Sequence, residues 1–271
     1  MRASPGRLSL LVLLVACLAW TCGDDDDDTT GPGDGVDNTD FVAEEPFSYG
    51  FEVAGQTRFW LEGMNGHVSI TGVSEFDSVI VAGAKRVGSE SLDDAQEHLA
   101  DITVVVTDRG TEFYVETQQP EDTGGRNYVV NYEVSVPDDM KVVAHNVNGT
   151  VRVESMSSDV SVENTNGSVA LEDVFGNTDV VLVNGEIGAE VTIPLGGTID
   201  MGVTNGTIDL EIPEATSAQF SARVTIGSIN VYNLDLQDIE SSPTSLTGTL
   251  GNGEGTIDLS TVIGSIVVTG F

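Results

Sequence analysis

Asn148-Gly149-Thr150-Val151-Arg152-Val153, Asn166-Gly167-Ser168-Val169-Ala170-Leu171 and Asn205-Gly206-Thr207-Ile208-Asp209-Leu210 are three copies of one unit, and that unit decides the fold. An Asn-Gly pair is followed by one small polar residue and then by apolar residues at every second position. Shorter or altered copies occur at Asn184-Gly185-Glu186-Ile187, at Ile226-Gly227-Ser228-Ile229-Asn230-Val231 and, in the tail, at Gly255-Thr256-Ile257-Asp258-Leu259 and Gly264-Ser265-Ile266-Val267-Val268. From Gly149 through Gly167, Gly185 and Gly206 to Gly227 the steps are 18, 18, 21 and 21 residues. A period in this range signals a repeat architecture. The glycines supply positive φ or close backbone approach at a corner, and Asn tolerates the left-handed region better than most residues.

Between the corners lies a second alternating segment, clearest in Asp159-Val160-Ser161-Val162-Glu163 and in Asp179-Val180-Val181-Leu182-Val183. Each repeat therefore holds two short strands with period-two alternation. Val151, Val153, Val160, Val162, Val169, Leu171, Ile208, Leu210, Ile229 and Val231 are expected to point inward, and Arg152, Glu154, Ser161 and Glu163 to solvent. Asn-Gly between alternating runs is also a hairpin signal, so an antiparallel meander is one geometry. A solenoid, with each coil stacked on the last at about 4.8 Å, is the other. The solenoid is favoured because the apolar set keeps its phase through five or more repeats. The fold expected is all-β, a β-solenoid of stacked short-strand repeats over 146–271. Asn148, Asn166 and Asn205 also match the glycosylation sequon, but their periodicity marks them as turns.

Working back toward the start, residues 44–145 are β-rich but less regular. Strands are expected at Ser48 to Val53, Arg58 to Leu61, His67 to Thr71, Ser78 to Ala82, Ile102 to Thr107, Glu112 to Thr117 and Tyr128 to Val136. Asn65-Gly66 opens an early copy of the repeat. One short helix is expected, capped by Ser91, with Asp93 and Asp94 in its first turn and Leu92, Ala95, Leu99 and Ile102 on one face. Residues 119–127 read as a loop. The region serves as a cap, because terminal units of a repeat stack must cover its exposed apolar edge.

Residues 1–22 read as an export signal: Arg2 and Arg7, an apolar run from Leu8 to Ala16, then small residues and cysteine. The run is too short to span a bilayer. Its ending resembles a bacterial lipoprotein signal, which implies acylation of a cysteine. Leu14-Val15-Ala16-Cys17 fits that pattern better by residue type. Cys22, however, sits directly before Gly23 and the run Asp24 to Asp28 and is the preferred attachment site. Residues 23–43, rich in Asp, Gly and Thr, read as an acidic disordered tether. Asp34, Asp37 and Asp40 lack the glycine and terminal glutamate of an EF-hand loop.

Beyond the leader, 44 acidic residues face 8 basic ones, because two of the ten Lys and Arg are Arg2 and Arg7. Such a surface repels nucleic acid and anionic membrane faces. Cys17 and Cys22 are the only cysteines, so no disulfide framework shapes the domain.

The segments Asn65-Gly66, Lys85-Arg86 with the short helix after it, Asn127-Tyr128-Val129-Val130-Asn131-Tyr132-Glu133-Val134, and Val136-Pro137 leading into Val147-Asn148-Gly149 resemble a family of adhesin-like bacterial envelope proteins. The resemblance spans about residues 46–270. It implies a β-solenoid-like domain at the cell surface or in the periplasm and brings no catalytic residues, cofactor or metal with it.

The residues themselves agree with that silence. His67, His98 and His145 are scattered, where a zinc site needs a cluster. There is no Gly-x-Ser-x-Gly elbow, His-Glu-x-x-His motif or phosphate loop. Gly196-Gly197-Thr198-Ile199-Asp200 departs from the calcium nonapeptide of β-helices. Glu154, Glu163, Glu172, Asp200 and Asp209 could stack as paired acids in a polysaccharide-cleaving enzyme, but solvated acids on a repeat face are the commoner arrangement. With aromatics at 6% of the chain, a sugar-stacking groove is not expected, and Trp60 has no Trp20 beside it. The function expected is a non-catalytic, lipid-anchored envelope protein of the outer membrane, displaying its repeats to an envelope protein or polymer. A periplasmic structural or stress-regulatory role is the alternative, and a polysaccharide-active β-helix a more distant one.

Overall fold

A computed structural model describes residues 41–271. The leader, Cys17, Cys22 and tether residues 23–40 lie outside the described residues. Strand pairing begins at Phe41, so 41–43, the end of the stretch read as tether, form ladder pairs with Ser89, Gly88 and Val87.

The cap comprises β1 (Phe41–Glu52), β2 (Arg58–Glu62), β3 (Val68–Val73), β4 (Ser78–Ser89), α1 (Leu92–Glu97), β5 (Thr103–Asp108), β6 (Glu112–Gln118) and β7 (Asn127–Pro137). The repeats follow as β8 (Lys141–Asn148), β9 (Val151–Met156), β10 (Val160–Phe175), β11 (Thr178–Thr192), β12 (Thr198–Ile212), β13 (Ala218–Tyr232), β14 (Leu236–Ser242), β15 (Ser245–Leu250) and β16 (Gly255–Gly270).

The two strands expected per repeat are two legs of one coil, bent at its Asn-Gly corner. In β10, β11, β12, β13 and β16 both legs are one continuous strand; β8–β9 and β2–β3 are coils interrupted at the corner. Coils pair in parallel and in register: Val160↔Thr178 and Val169↔Ile187, then Thr178↔Ile199 and Ile187↔Ile208. Parallel pairing rules out the meander for the coils. Antiparallel pairs join β1 to β4, β4 to β7, β5 to β6, and β15 to β13 and β14.

The first legs build one face, in the order β5-β6-β2-β8-β10-β11-β12-β16-β13-β15-β14. The second legs build the other, β1-β4-β7-β3-β9-β10-β11-β12-β16-β13. Inward side chains of both faces share one core. Val151, Val153, Val160, Val162, Val169, Leu171, Ile208 and Leu210 are buried as expected, whereas Ile229 and Val231 are only half-buried.

One expectation is corrected: the coils do not stack in chain order. After β13 the chain forms the β14–β15 hairpin and returns as β16, which slots between β12 and β13. The coil with Gly264 therefore lies between those with Gly206 and Gly227. Ile229 and Val231 sit on the outermost coil, with no second-leg neighbour beyond them among the described residues, which is why they are not fully covered.

The corner glycines have a steric reason. Gly185 has φ +140°, and a Cβ there would lie 1.6 Å from the carbonyl oxygen of Gly167. The same contact recurs between Gly206 and Gly185, and between Gly264 and Gly206, at 1.6 and 1.7 Å. Beside the glycines runs an amide ladder: Asn148, Asn166, Asn184 and Asn205 each donate Nδ2 to the Oδ1 of the preceding Asn in the stack, starting from Asn65, at 2.7–2.9 Å. On the inner side of the corner, buried Asn164 donates to the carbonyl of Gly149 at 2.9 Å, and Asn146 does the same to Gly66 at 3.3 Å.

α1 is capped by Ser91, whose side chain accepts from the Asp94 amide at 3.2 Å. Ala95 and Ile102 are buried and Leu99 partly so, but Leu92 is exposed, at the helix start where the first turn faces water. Arg126 closes the loop before β7 onto this helix with two 2.7 Å bonds to Asp94.

Candidate functional site

On the first-leg face, outward side chains fall into rows that cross the coils, because in-register pairing places equivalent residues side by side. One row reads Tyr114, Trp60, Val143, Ser161, Asp179, Asp200, Asp258. Its start is aromatic and its end acidic.

At the aromatic start, Trp60 stands edge-to-face with Tyr114 (centroids 6.2 Å apart) and with His145 (5.4 Å). The guanidinium of Arg109 sits 3.4 Å from the Tyr114 ring centre. The Tyr114 hydroxyl donates to Glu62 at 2.5 Å and Glu116 at 3.1 Å. Burial, followed by its bonds to these two carboxylates, pushes the phenol well above its ordinary value, so it stays a donor. Nε1 of Trp60 is buried without an acceptor. The cluster can stack a flat or apolar ligand face and accept hydrogen bonds through its carboxylates.

At the acidic end, a shallow groove of about 510 Å³ runs across the coils, with Arg58 and Lys141 at one end, Asp159, Asp179 and Asp200 along it and Asp258 at the other. Lys141 pairs with Asp159, which also accepts from Asn177 Nδ2 at 2.9 Å. Asp258 pairs with Arg223 at 3.1 Å. Asp200, between Asp179 and Asp258, has no basic partner among the described residues; burial first, then those two like charges, raise its carboxyl above the usual value.

The stacked acids anticipated from sequence do not form one constellation. Glu154 and Glu172 are neighbours on the second-leg face, bridged by Arg152 at 3.0 and 2.5 Å. Glu163 lies beside His145 on the first-leg face, and Asp209 stands between Gly188 and Val267. Among the described residues no group of three or more His, Cys, Asp or Glu has the geometry of a metal site. His98 is held by Asp101 at 2.6 Å and lies on α1's end, away from the face. The corner residues Asn65, Gly66, Asn148, Gly149, Asn166, Gly167, Asn184, Gly185, Asn205, Gly206, Gly227 and Gly264 all stand at corners, with every one of these glycines at positive φ.

The aromatic cluster is what sequence reading missed. Trp60 has no second tryptophan near it in the sequence, but parallel pairing of β2 with β6 and β8 brings Tyr114 and His145 to it from 54 and 85 residues away. The alternation of each strand marks these residues as outward; only the sheet order shows that they meet.

Among the described residues no helix is long and apolar enough to cross a membrane. No protein of curated function matches the chain. Among solved structures it is similar to a "putative cell adhesion protein" from Clostridium sporogenes, at 13% identity and TM-score 0.48, covering 84% of this chain and 100% of that one. It is also similar to a "putative adhesin" from Bacteroides fragilis, at 14% identity and TM-score 0.30, covering 84% and 99%. The Toastrack DUF4097 family matches residues 64–269, the span from the first Asn-Gly corner to the last strand, and the chain belongs to that family.

Proposed function

We propose that this protein is a non-catalytic, lipid-anchored envelope protein that displays its β-repeat domain as an adhesin-like binding surface. The observation that carries the reading is the first-leg face: a sheet whose aromatic–carboxylate cluster is continuous with an acidic groove. Anchoring at Cys22, with Cys17 as alternative, would present this face beyond an acidic tether. Neighbours described as adhesins are consistent with the role.

The test uses the full chain in a diderm host. A palmitate analogue is incorporated into wild type, Cys17→Ser and Cys22→Ser, and intact cells are shaved with protease. Binding of the purified chain to envelope polymers and proteins is then compared with that of Trp60→Ala. Label lost in Cys22→Ser, cleavage from outside and weakened binding by Trp60→Ala are expected. Full protection from protease would move the domain to the periplasm and replace display with a structural or regulatory role. Binding to nothing in the envelope would overturn the reading.

A further inference from the structure

The two faces of the stack end differently. The first-leg face is closed by the β15–β14 hairpin, which covers β13 from Ala218 to Arg223. Among the described residues, the second-leg face stops at Ile226–Tyr232, which pairs with β16 alone. Half of the main-chain donors and acceptors of such an edge point away from the sheet. The core is open here as well. Ile208, Leu210, Ile266 and Val268 are fully buried, while their counterparts Ile229 and Val231 are half-buried. Around them Ile226, Ile263 and Tyr232 are 63%, 50% and 54% exposed, and the Asn ladder gives way to Ile263 and then Ile226.

The other edges are guarded. β1 carries Pro46 between Glu44, Glu45 and later Glu52; β14 is bulged near Asp238 and carries Glu240; β5 shows no exposed large apolar side chain and ends at Asp108. Ile226-Gly227-Ser228-Ile229-Asn230-Val231-Tyr232 has no charge, no proline and no bulge, in a chain with formal net charge −34. Charge, proline and bulges are the usual means of keeping an edge from pairing.

We propose that this edge is a dimerisation strand that pairs antiparallel with the same strand of a second copy. The occupant follows from self-complementarity. A two-fold axis through Asn230 places Ile229 of each copy opposite Val231 of the other, extending both cores. It also places each Tyr232 opposite Ser228, within diagonal reach of the corner that holds Ile226. A basic partner finds no charge to pair with on this strip, whereas an identical copy finds matching main chain and matching apolar groups. The contact is short compared with the roughly 1,600 Å² of a standard interface, so association depends on concentration, and crowding of anchored copies on one surface favours it. The net charge of −34 on each copy opposes it, so salt strengthens it by screening.

Sedimentation of the full chain in excess detergent, over a wide concentration range and at low and high salt, tests this. The protein mass is expected to double with concentration, at lower concentration in high salt. The doubling should be lost in Ile226→Lys/Tyr232→Lys and kept in Val181→Lys, an exposed apolar site on an interior coil. At concentrations where wild type is monomeric, thermal midpoints of these variants should match wild type, since each site is about half or more exposed in the single chain. With Cys17 and Cys22 both replaced by Ser, Asn230→Cys, on the two-fold, should cross-link to itself under oxidation, while the same chain with Asn230 kept shows no such band. A monomer at every concentration, a double Lys variant that dimerises like wild type, or no cross-link through residue 230 would overturn the proposal.

Discussion

The coil stack and the cap solve one packing problem in two ways. In the stack, inward rows are built mainly of aliphatic side chains, and one is nearly uniform: Val68, Val151, Val169, Ile187, Ile208, Ile266 and Ile229 lie side by side. In the cap, rings fill the core. Phe59, Phe113 and Tyr132 are among the largest fully buried side chains, Phe51 packs on Phe113 and Phe47 on Tyr132 with centroids 5.7 Å apart, and the Tyr132 hydroxyl meets Thr117 at 2.7 Å. The stack holds register by repetition, so each coil is fitted to two near-copies of itself. The cap holds it by individual shapes, and the failures of the two regions should differ accordingly.

The largest effect belongs to the stack's backbone. Gly185→Ala places a methyl 1.6 Å from a main-chain oxygen at φ +140°. Neither coil can move without dragging its neighbours, so a loss of about 4 kcal/mol or more is expected. Gly188→Ala, three residues on in the same strand, meets nothing within 4 Å and should stay within about 0.5 kcal/mol of wild type. Chemical denaturation of the pair measures the contrast. Equal effects would break the claim that corner contact, rather than glycine content, holds the register.

Side-chain deletions come next. Phe59→Ala in the cap should cost about 4 kcal/mol and Leu182→Ala in the stack about 3, since both are fully buried and leave cavities that close only in part. Ile208→Val, within a row that already holds Val, should cost about 1. If the stack variant proved costlier than the ring deletion, repetition would be the more demanding way to pack.

Acid titration separates the regions further. In the cap, the side-chain bond from Arg126, followed by one from Ser89, holds the Asp94 carboxyl far below its ordinary value. A carboxyl lowered in the folded state stabilises the fold above the unfolded value of about 3.9, and that contribution is lost as pH falls toward the folded one. Asp94→Asn should therefore lower the thermal midpoint at neutral pH and flatten its decline below pH about 4. An unchanged acid limb would mean that the Arg126 clasp does not hold the loop to α1.

These differences also explain what the sequence made legible. Every coil corner was marked, because a clash with the neighbouring coil's carbonyl leaves only glycine, and its period survives in the chain. The cap's strands were visible through their alternation, and α1 through Ser91, Asp93 and Asp94. Three things were hidden. The displaced order of β16 and β13 leaves no trace, since both carry the same repeat and either could follow β12. The cluster of Trp60, Tyr114 and His145 arises from pairing between distant strands, each of which shows only that one side chain faces out. Buried Asn146 and Asn164 were hidden for a related reason: an amide at an inward position makes sense only once the neighbouring glycine carbonyl stands beside it.

The smallest expected effect falls on the groove, where repetition works against the stack. In-register coils set Asp179, Asp200 and Asp258 side by side, and the central carboxyl, raised by burial and then by these neighbours, has a like charge on each side and no basic partner among the described residues. A carboxyl raised in the folded state binds its proton more tightly there than in the unfolded chain. It therefore costs stability above its folded value, and the cost is relieved as pH falls through that value. Asp200→Asn should be stabilising at neutral pH, by about 0.5 kcal/mol, the scale of a like-charge pair across adjacent strands. The gain should shrink with added salt and vanish in acid. Asp258→Asn should gain less, because it also removes the partner of Arg223 at 3.1 Å. If neither change stabilises the protein, the row is screened well enough to carry no strain; if Asp200→Asn alone does, stability has been given up at the centre of the groove, the place where a cationic group of a bound partner would recover it.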